Sequence, residues 1–223
     1  MRPNIAIDGP AGAGKSTVAR LVAQKLGLVY IDTGAMYRAL TWKALTLKLP
    51  FTEEVLATLA QNTLITFAQD CQGGPQKIFC DGTDVTQEIR EPLVTHWVSV
   101  LSSYGEVRQE LTRLQQKAAS SGGVVMDGRD IGTTVLPDAP FKFFLTASLE
   151  ERSRRRHQEL VNKGNQVTLA EIERDIAARD LADQSREIAP LAVAEDAIVI
   201  DTTELSIEEV ASLIVEKYQQ EVQ

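Results

Sequence analysis

The residues best suited to chemistry form a glycine-rich loop close to the start of the chain. Gly9, Gly14, Lys15 and Ser16 match the pattern G-x-x-x-x-G-K-[S/T], in which backbone N–H groups surround a phosphate. The lysine of this pattern reaches the β- and γ-phosphates, and the hydroxyl can ligate Mg²⁺. The pattern predicts a nucleotide-binding loop made of Gly9, Pro10, Ala11, Gly12, Ala13, Gly14, Lys15, Ser16 and Thr17.

The neighbouring residues supply the elements that this loop needs. An apolar strand over residues 5–7 precedes it, and an amphipathic helix over Lys15–Leu26 follows. A helix N-terminus adds partial positive charge beside the loop and favours a bound anion. The strand-loop-helix order therefore supports nucleotide binding.

Arginine is the second feature that points to anions. The chain has fourteen arginines, and ten of them lie between Arg108 and Arg186, although the formal net charge is −8. An acidic chain is unsuited to general nucleic-acid binding. The local concentration of arginine predicts an anion clamp, with some of the ten paired to Glu and Asp on solvated helix faces.

Composition and length indicate a globular protein rather than a membrane protein. The 223 residues are 43% hydrophobic and 24% charged, which is enough for a substantial core. No apolar run approaches the ~20 residues of a membrane span, and the first residues lead directly into a strand, so we expect a cytoplasmic protein without a signal peptide. Cys71 and Cys80 are then expected to be reduced thiols, and two histidines, His96 and His157, make a zinc site improbable.

Apolar strands alternate with helical stretches, which is typical of a parallel α/β sheet. The predicted strands are Asn4–Asp8, Leu28–Asp32, Gly123–Asp127, Phe141–Thr146 and Ala197–Asp201. The predicted helices are Lys15–Leu26, Ala35–Leu47, Glu150–Lys163, Leu169–Ala182 and Ile207–Gln219, the last with a capping box of Ser206 and Glu209. Asp32, Asp127 and Asp201 end their strands, where sites in such sheets lie.

One stretch interrupts the alternation. Short strands are predicted at Leu64–Ala68, Gln76–Asp81 and Asp84–Val85, followed by helices over Glu91–Ser102 and Glu106–Ala119. We interpret residues 63–120 as a small antiparallel sheet lobe inserted into a single domain over residues 1–223. Residues 150–168, with a hinge-like segment from Asn162 to Asn165, are predicted to form a helical lid.

The loop is shared by several classes of protein, and other residues discriminate among them. A GTPase would need N-K-x-D, but Asn162-Lys163-Gly164-Asn165 ends in Asn. A motor-type ATPase usually has Asp-Glu at a strand end, whereas Asp127 is followed by Gly128. Phosphoryl transfer to a second phosphorylated substrate is therefore favoured over hydrolysis.

Five further segments, in order, give a specific resemblance. They are Asp32-Thr33-Gly34-Ala35-Met36-Tyr37-Arg38, Val107-Arg108, Asp127-Gly128-Arg129-Asp130-Ile131-Gly132, Arg179-Asp180-x-x-Asp183-x-x-Arg186 and Ile188-Ala189-Pro190-Leu191. With the phosphate loop in front, the chain resembles the bacterial cytidylate kinases from its first strand to its last helix. The resemblance implies a P-loop kinase fold: a five-stranded parallel sheet flanked by helices, with the inserted lobe and the lid.

The resemblance also implies an activity and residue roles. The activity is transfer of the γ-phosphoryl group of ATP, with Mg²⁺, to CMP or dCMP, by a monomer that binds neither nucleic acid nor membrane. The implied catalytic residues are Lys15, Arg129, Arg156 and Arg186, and Ser16 is the implied metal ligand. Arg38, Arg129 and Arg186 would hold the acceptor phosphate, Arg179 and Asp183 the sugar, and Ser99, Arg108 and Asp130 the cytosine, with Thr33 and Asp127 also on the substrate side. Arg152 would cover the adenine, and Arg156 the transferring phosphate.

Elementary chemistry agrees with these roles. A monophosphate oxygen is already anionic near neutrality, with a second pKa of about 6, so the acceptor needs no general base. Bringing two charged phosphates together suits guanidinium forks better than lysine, and Arg179, Asp183 and Arg186 have the spacing of one helix face.

Two alternatives remain open. One is a kinase for another small acceptor, for which Asp32 or Asp130 could act as the base toward a hydroxyl. The other is a nucleotide-binding regulator without turnover.

Overall fold

The central element of the structure is a five-stranded parallel sheet. The computed structural model describes residues 1–68, 76–162 and 164–222. The strands of the sheet lie in the order β2-β6-β1-β7-β8. Their bounds are β1 Ile5–Asp8, β2 Val29–Asp32, β6 Val124–Asp127, β7 Phe141–Thr146 and β8 Ile198–Asp201. All five predicted strands are confirmed within one residue at each end.

The helices follow the predicted order, apart from α3, which was not predicted. Their bounds are α1 Lys15–Leu26, α2 Thr33–Thr46, α3 Glu53–Gln61, α4 Pro92–Leu101, α5 Gly105–Ala119, α6 Leu149–Asn162, α7 Leu169–Gln184 and α8 Ile207–Val222. Helix α2 begins two residues earlier than predicted because Asp32 caps it: its Oδ1 accepts the Ala35 N–H at 2.9 Å. The predicted capping box of Ser206 and Glu209 is present at the start of α8.

A second, antiparallel sheet has the order β3-β4-β5. It consists of β3 Ile65–Ala68, β4 Lys77–Cys80 and β5 Thr83–Asp84, so the predicted small sheet and the fold class are confirmed. Cys71 lies outside the described residues. Cys80 is a reduced, buried thiol, and burial raises its pKa to about 11.

The chain divides into two compact units. The first comprises residues 1–31 and 119–223, and the second comprises residues 32–118. The second unit therefore contains α2 and α3 as well as all but the last two residues of the stretch predicted as an inserted lobe. The predicted arrangement, a single domain with this lobe inserted and a lid over residues 150–168, stays a prediction.

The core of the first unit lies between the sheet and helices α1 and α8. It holds β1 and the phosphate loop in place by burying apolar side chains from both layers. Its largest fully buried members are Ile5, Ile7, Leu145 and Ile214. In the described part of the chain, no helix is both long enough and apolar enough to cross a membrane.

Candidate active site

The phosphate loop connects β1 directly to α1. Gly9 opens the loop with φ 147°, and a Cβ atom there would lie 2.0 Å from the carbonyl oxygen of Leu145 in β7. Only glycine allows the backbone to approach the neighbouring strand so closely. The sheet therefore fixes the point at which the loop leaves β1.

Lys15 is a buried cation at the base of this loop. Its Nζ donates to the carbonyl oxygen of Pro10 at 2.7 Å, and its exposed fraction is 5%. Burial lowers the pKa of the Lys15 ammonium well below its usual range, and the charges of Arg129 and Arg179 lower it further, against Asp127 and Asp8. Such a cluster of cations favours an anionic ligand, since negative charge relieves the repulsion.

Ser16 and Asp127 form a pair of oxygen donors beside Lys15. The Ser16 hydroxyl donates to Oδ2 of Asp127 at 2.7 Å, and Tyr30 Oη donates to the other carboxylate oxygen at 2.7 Å. Asp127 is buried at the end of β6. Asp127 was predicted on the substrate side, and the structure brings it against the predicted metal ligand Ser16.

Asp8 is a buried residue beside Lys15 that the sequence analysis did not single out. Its two carboxylate oxygens accept the N–H groups of Ile131 at 2.8 Å and Gly132 at 2.7 Å. These residues begin a π-helical turn, Ile131–Val135, directly after Arg129 and Asp130. Burial raises the pKa of Asp8 to about 6, opposed by these two N–H donors; the Asp130 charge raises it and Lys15 lowers it. A strand-end aspartate next to the loop was the available signal.

Arg129, Asp183 and Arg186 meet in the first unit. Arg129 Nε donates to one oxygen of Asp183 at 2.8 Å, and Arg186 Nη2 donates to the other at 2.6 Å. Although burial opposes it, the charges of Arg129, Arg186 and Arg179 hold the pKa of Asp183 below its usual value. Two of the three guanidinium groups predicted to bind the acceptor phosphate are thus held on a shared carboxylate.

One geometric prediction about this cluster is wrong. Arg186 was expected on the same helix face as Arg179 and Asp183, but α7 ends at Gln184 and Ser185 is its C-cap. The Arg186 side chain instead contacts Asp183 twice. Its Nη2 donates to the carboxylate, and its Nε donates to the Asp183 carbonyl oxygen at 3.3 Å. A local i, i+3 ion pair with Asp183, rather than a continuous helix face, keeps Arg186 in the cluster.

Helix α6 supplies the arginines predicted to bind the donor. Arg152 is buried, and it donates to the carbonyl oxygens of Ala147 and Ala11 and to the carboxylate of Asp180. Arg156 is partly exposed and pairs with Glu159 at 2.7 Å. The predicted roles of these two arginines toward ATP stay predictions.

The second unit contains four of the predicted substrate-side residues: Thr33, Arg38, Ser99 and Arg108. Arg38 donates to the Ile89 carbonyl oxygen and to Thr95, at 3.2 and 2.9 Å. Arg108 is buried, lies 5.5 Å from the centre of the Tyr37 ring and donates to the Ser102 carbonyl oxygen. Thr33 is buried in the first turn of α2, and Ser99 is exposed on α4.

The first unit alone thus combines four features: the phosphate loop, the buried Lys15, the oxygen donors of Ser16 and Asp127, and two arginines that share the Asp183 carboxylate. This combination suits charge stabilisation during phosphoryl transfer.

Comparisons with known proteins agree with this chemistry. A family model described as cytidylate kinase matches residues 5–220. A cytidylate kinase of Desulfitobacterium hafniense (strain Y51) is 53% identical over 220 residues, covering 98% of this chain and 94% of the relative. A cytidylate kinase of Bacillus thuringiensis (strain Al Hakam) is 53% identical over 214 residues, covering 96% and 94%.

A solved structure shares the fold. An uncharacterized protein from Eubacterium ventriosum superposes with a TM-score of 0.52 over 99% of both chains, at 13% identity. The match over nearly the whole sequence and the identity to curated relatives show that this chain belongs to the cytidylate kinase family.

Proposed function

We propose that this protein transfers the γ-phosphoryl group of ATP to CMP or dCMP, giving CDP or dCDP and ADP. Membership of the cytidylate kinase family over residues 5–220 is the observation that carries the proposal. The complete phosphate loop and the cation cluster around Lys15 support it independently. We assign the activity to the cytoplasm, and the monomeric state stays a prediction.

Charge stabilisation by this chain's own residues accounts for the reaction. The acceptor monophosphate attacks without a general base, because its second pKa is about 6. We assign Lys15 to the charge that develops on the transferring group and Arg129 and Arg186 to the acceptor phosphate. Both arginines are already ordered by Asp183, so less side-chain entropy is lost when phosphate binds.

The donor set also fits Mg²⁺. Ser16 and Asp127 offer two hard oxygens 2.7 Å apart, and Mg²⁺ usually keeps several waters with one or two protein oxygens. Among the described residues there is no cluster of three or more His, Cys, Asp or Glu that could hold a metal. We therefore propose that Ser16 holds the ion with Asp127, directly or through water. When bound, the ion would neutralise charge on the β- and γ-phosphates.

The experiment is a coupled assay of ADP release with CMP, dCMP, UMP and AMP as acceptors. We expect release only with an acceptor, fastest with CMP or dCMP, and lost when EDTA removes Mg²⁺. Faster turnover of AMP or of a hydroxyl acceptor would favour a different kinase. ATP binding without ADP release under any condition would favour the alternative of a nucleotide-binding regulator without turnover.

A further inference from the structure

Two charged side chains bind the backbone of a single residue of the phosphate loop, Ala11, one at its N–H group and one at its carbonyl oxygen. Arg152 Nη1 donates to the carbonyl oxygen of Ala11 at 3.0 Å, and Oδ1 of Asp180 accepts the N–H of Ala11 at 3.3 Å. Arg152 and Asp180 also pair with each other through Nη1 and Oδ2. One ion pair thereby holds both the N–H group and the carbonyl oxygen of Ala11.

This bracket of Ala11 by Arg152 and Asp180 is built into the packing of the first unit. The side chains of Arg152 and Asp180 are only 9% and 13% exposed. Arg152 Nε donates to the carbonyl oxygen of Ala147, just before α6. A Cβ atom at Gly12, where φ is 77°, would lie 3.0 Å from Cβ of Arg152. The first turn of α6 therefore rests directly against the loop, and little room is left for either to shift.

We propose that Asp180 is a positioning residue for the phosphate donor, acting through Ala11 and Arg152; the inference rests on the proposed function. A phosphate loop binds by aiming several backbone N–H groups at one anion, so a small rotation of a peptide weakens several bonds together. Neither Asp180 nor any carboxylate of α7 received a donor-side role from the sequence.

The position of Asp180 on α7 gives this role a second consequence. Asp183, one helical turn further on, orders Arg129 and Arg186. Helix α7 thus contacts the donor loop through one carboxylate and the predicted acceptor arginines through another. Loss of Asp180 should affect donor binding first, because Asp183 keeps its own partners.

The variant Asp180→Asn tests the proposal with little change in shape. It removes the charge opposite the buried guanidinium of Arg152, which weakens the bracket on Ala11. We measure Kd by calorimetry for ADP and for inorganic pyrophosphate, without acceptor, beside KM for ATP and for CMP. We expect both Kd values and KM for ATP to rise roughly tenfold or more, with KM for CMP changed less than twofold.

Pyrophosphate separates positioning from base contact, since it has no adenine. If ADP binding weakens and pyrophosphate binding does not, Asp180 acts through Arg152 on the base, and the proposal is overturned. Tighter binding of both ligands would make the bracket an inhibitory contact and would overturn it as well. Equal weakening of ATP and CMP would indicate general damage to the fold, with the same consequence.

Two further variants complete the design. Asp175→Asn removes an exposed carboxylate of the same helix and should leave Kd and KM unchanged. Arg152→Lys keeps the charge but loses the guanidinium fork, so it should weaken pyrophosphate binding as Asp180→Asn does. The double variant should bind pyrophosphate no more weakly than whichever single variant has the higher Kd. If Asp180→Asn folds poorly, Arg152→Lys alone tests whether the Arg152–Asp180 pair positions the loop. A wild-type protein that binds pyrophosphate but does not phosphorylate CMP would refute the proposed function and leave the role of Asp180 standing.

Discussion

Neutralising Asp8 should remove part of the pH dependence of the free energy of unfolding. Asp8 is 5% exposed, and burial raises its pKa from the ordinary 3.8 to about 6. The native state therefore binds this proton more tightly than the unfolded chain does. The stability contributed by Asp8 is fully present below pH 3.8 and is lost as the pH rises through 6.

The shift sets the size of the effect. A difference of about two pKa units corresponds to about 3 kcal/mol over the whole titration. Roughly half of this falls between pH 5 and pH 8, where the protein is easiest to study. Asp8→Asn cannot ionise, so its free energy of unfolding relative to wild type should rise by about 1–1.5 kcal/mol across that window. Any constant cost of losing one N–H acceptor for Ile131 or Gly132 cancels in this comparison.

The assay is urea unfolding of both proteins at pH 5, 6, 7 and 8, at fixed ionic strength. Asp183→Asn is the matched control. The pKa of Asp183 lies below its ordinary 3.8, so its stabilisation is lost only as the pH falls below this window, and its difference from wild type should be constant from pH 5 to 8. A constant difference for Asp8→Asn as well would show that the carboxylate is ionised and compensated in the native state, and would refute the reasoning.

Four substitutions test the proposed roles in catalysis and recognition. Lys15→Met should lower kcat by about 10²–10³ and leave CMP affinity without ATP almost unchanged; an equal loss of CMP affinity would indicate misfolding. Arg129→Lys keeps the charge but loses the fork, so CMP should bind roughly tenfold more weakly, and titration with cytidine, which has no phosphate, should show little loss. Asp130→Asn can offer a donor where uracil has an acceptor, so kcat/KM for CMP over UMP should fall roughly tenfold; Arg108→Met should lower CMP activity without a gain for UMP, and an unchanged ratio in Asp130→Asn would move base recognition to other residues.

The sequence determined the elements that depend on local patterns. Five strands, the phosphate loop and helix α1 have nearly the predicted bounds, because apolar alternation, glycine spacing and capping residues act within a few positions. Helix α3 was missed, since nine residues with four buried apolar positions give too short a periodic signal beside the following strand. The end of α7 lies within two residues of the prediction, but Arg186 was wrongly placed on its face, because residue spacing alone does not show that the helix stops at Gln184.

Only the tertiary structure decided which charged groups meet. Asp8 binds N–H groups more than 120 positions away, Arg129 pairs with a carboxylate 54 positions away, and Asp180 accepts from a loop residue 169 positions away. Such contacts arise because parallel strands bring their carboxyl ends to one edge of the sheet, and sequence spacing does not encode that proximity. For the same physical reason, the pKa shifts of Asp8 and Lys15 follow from burial in the folded chain and not from residue type.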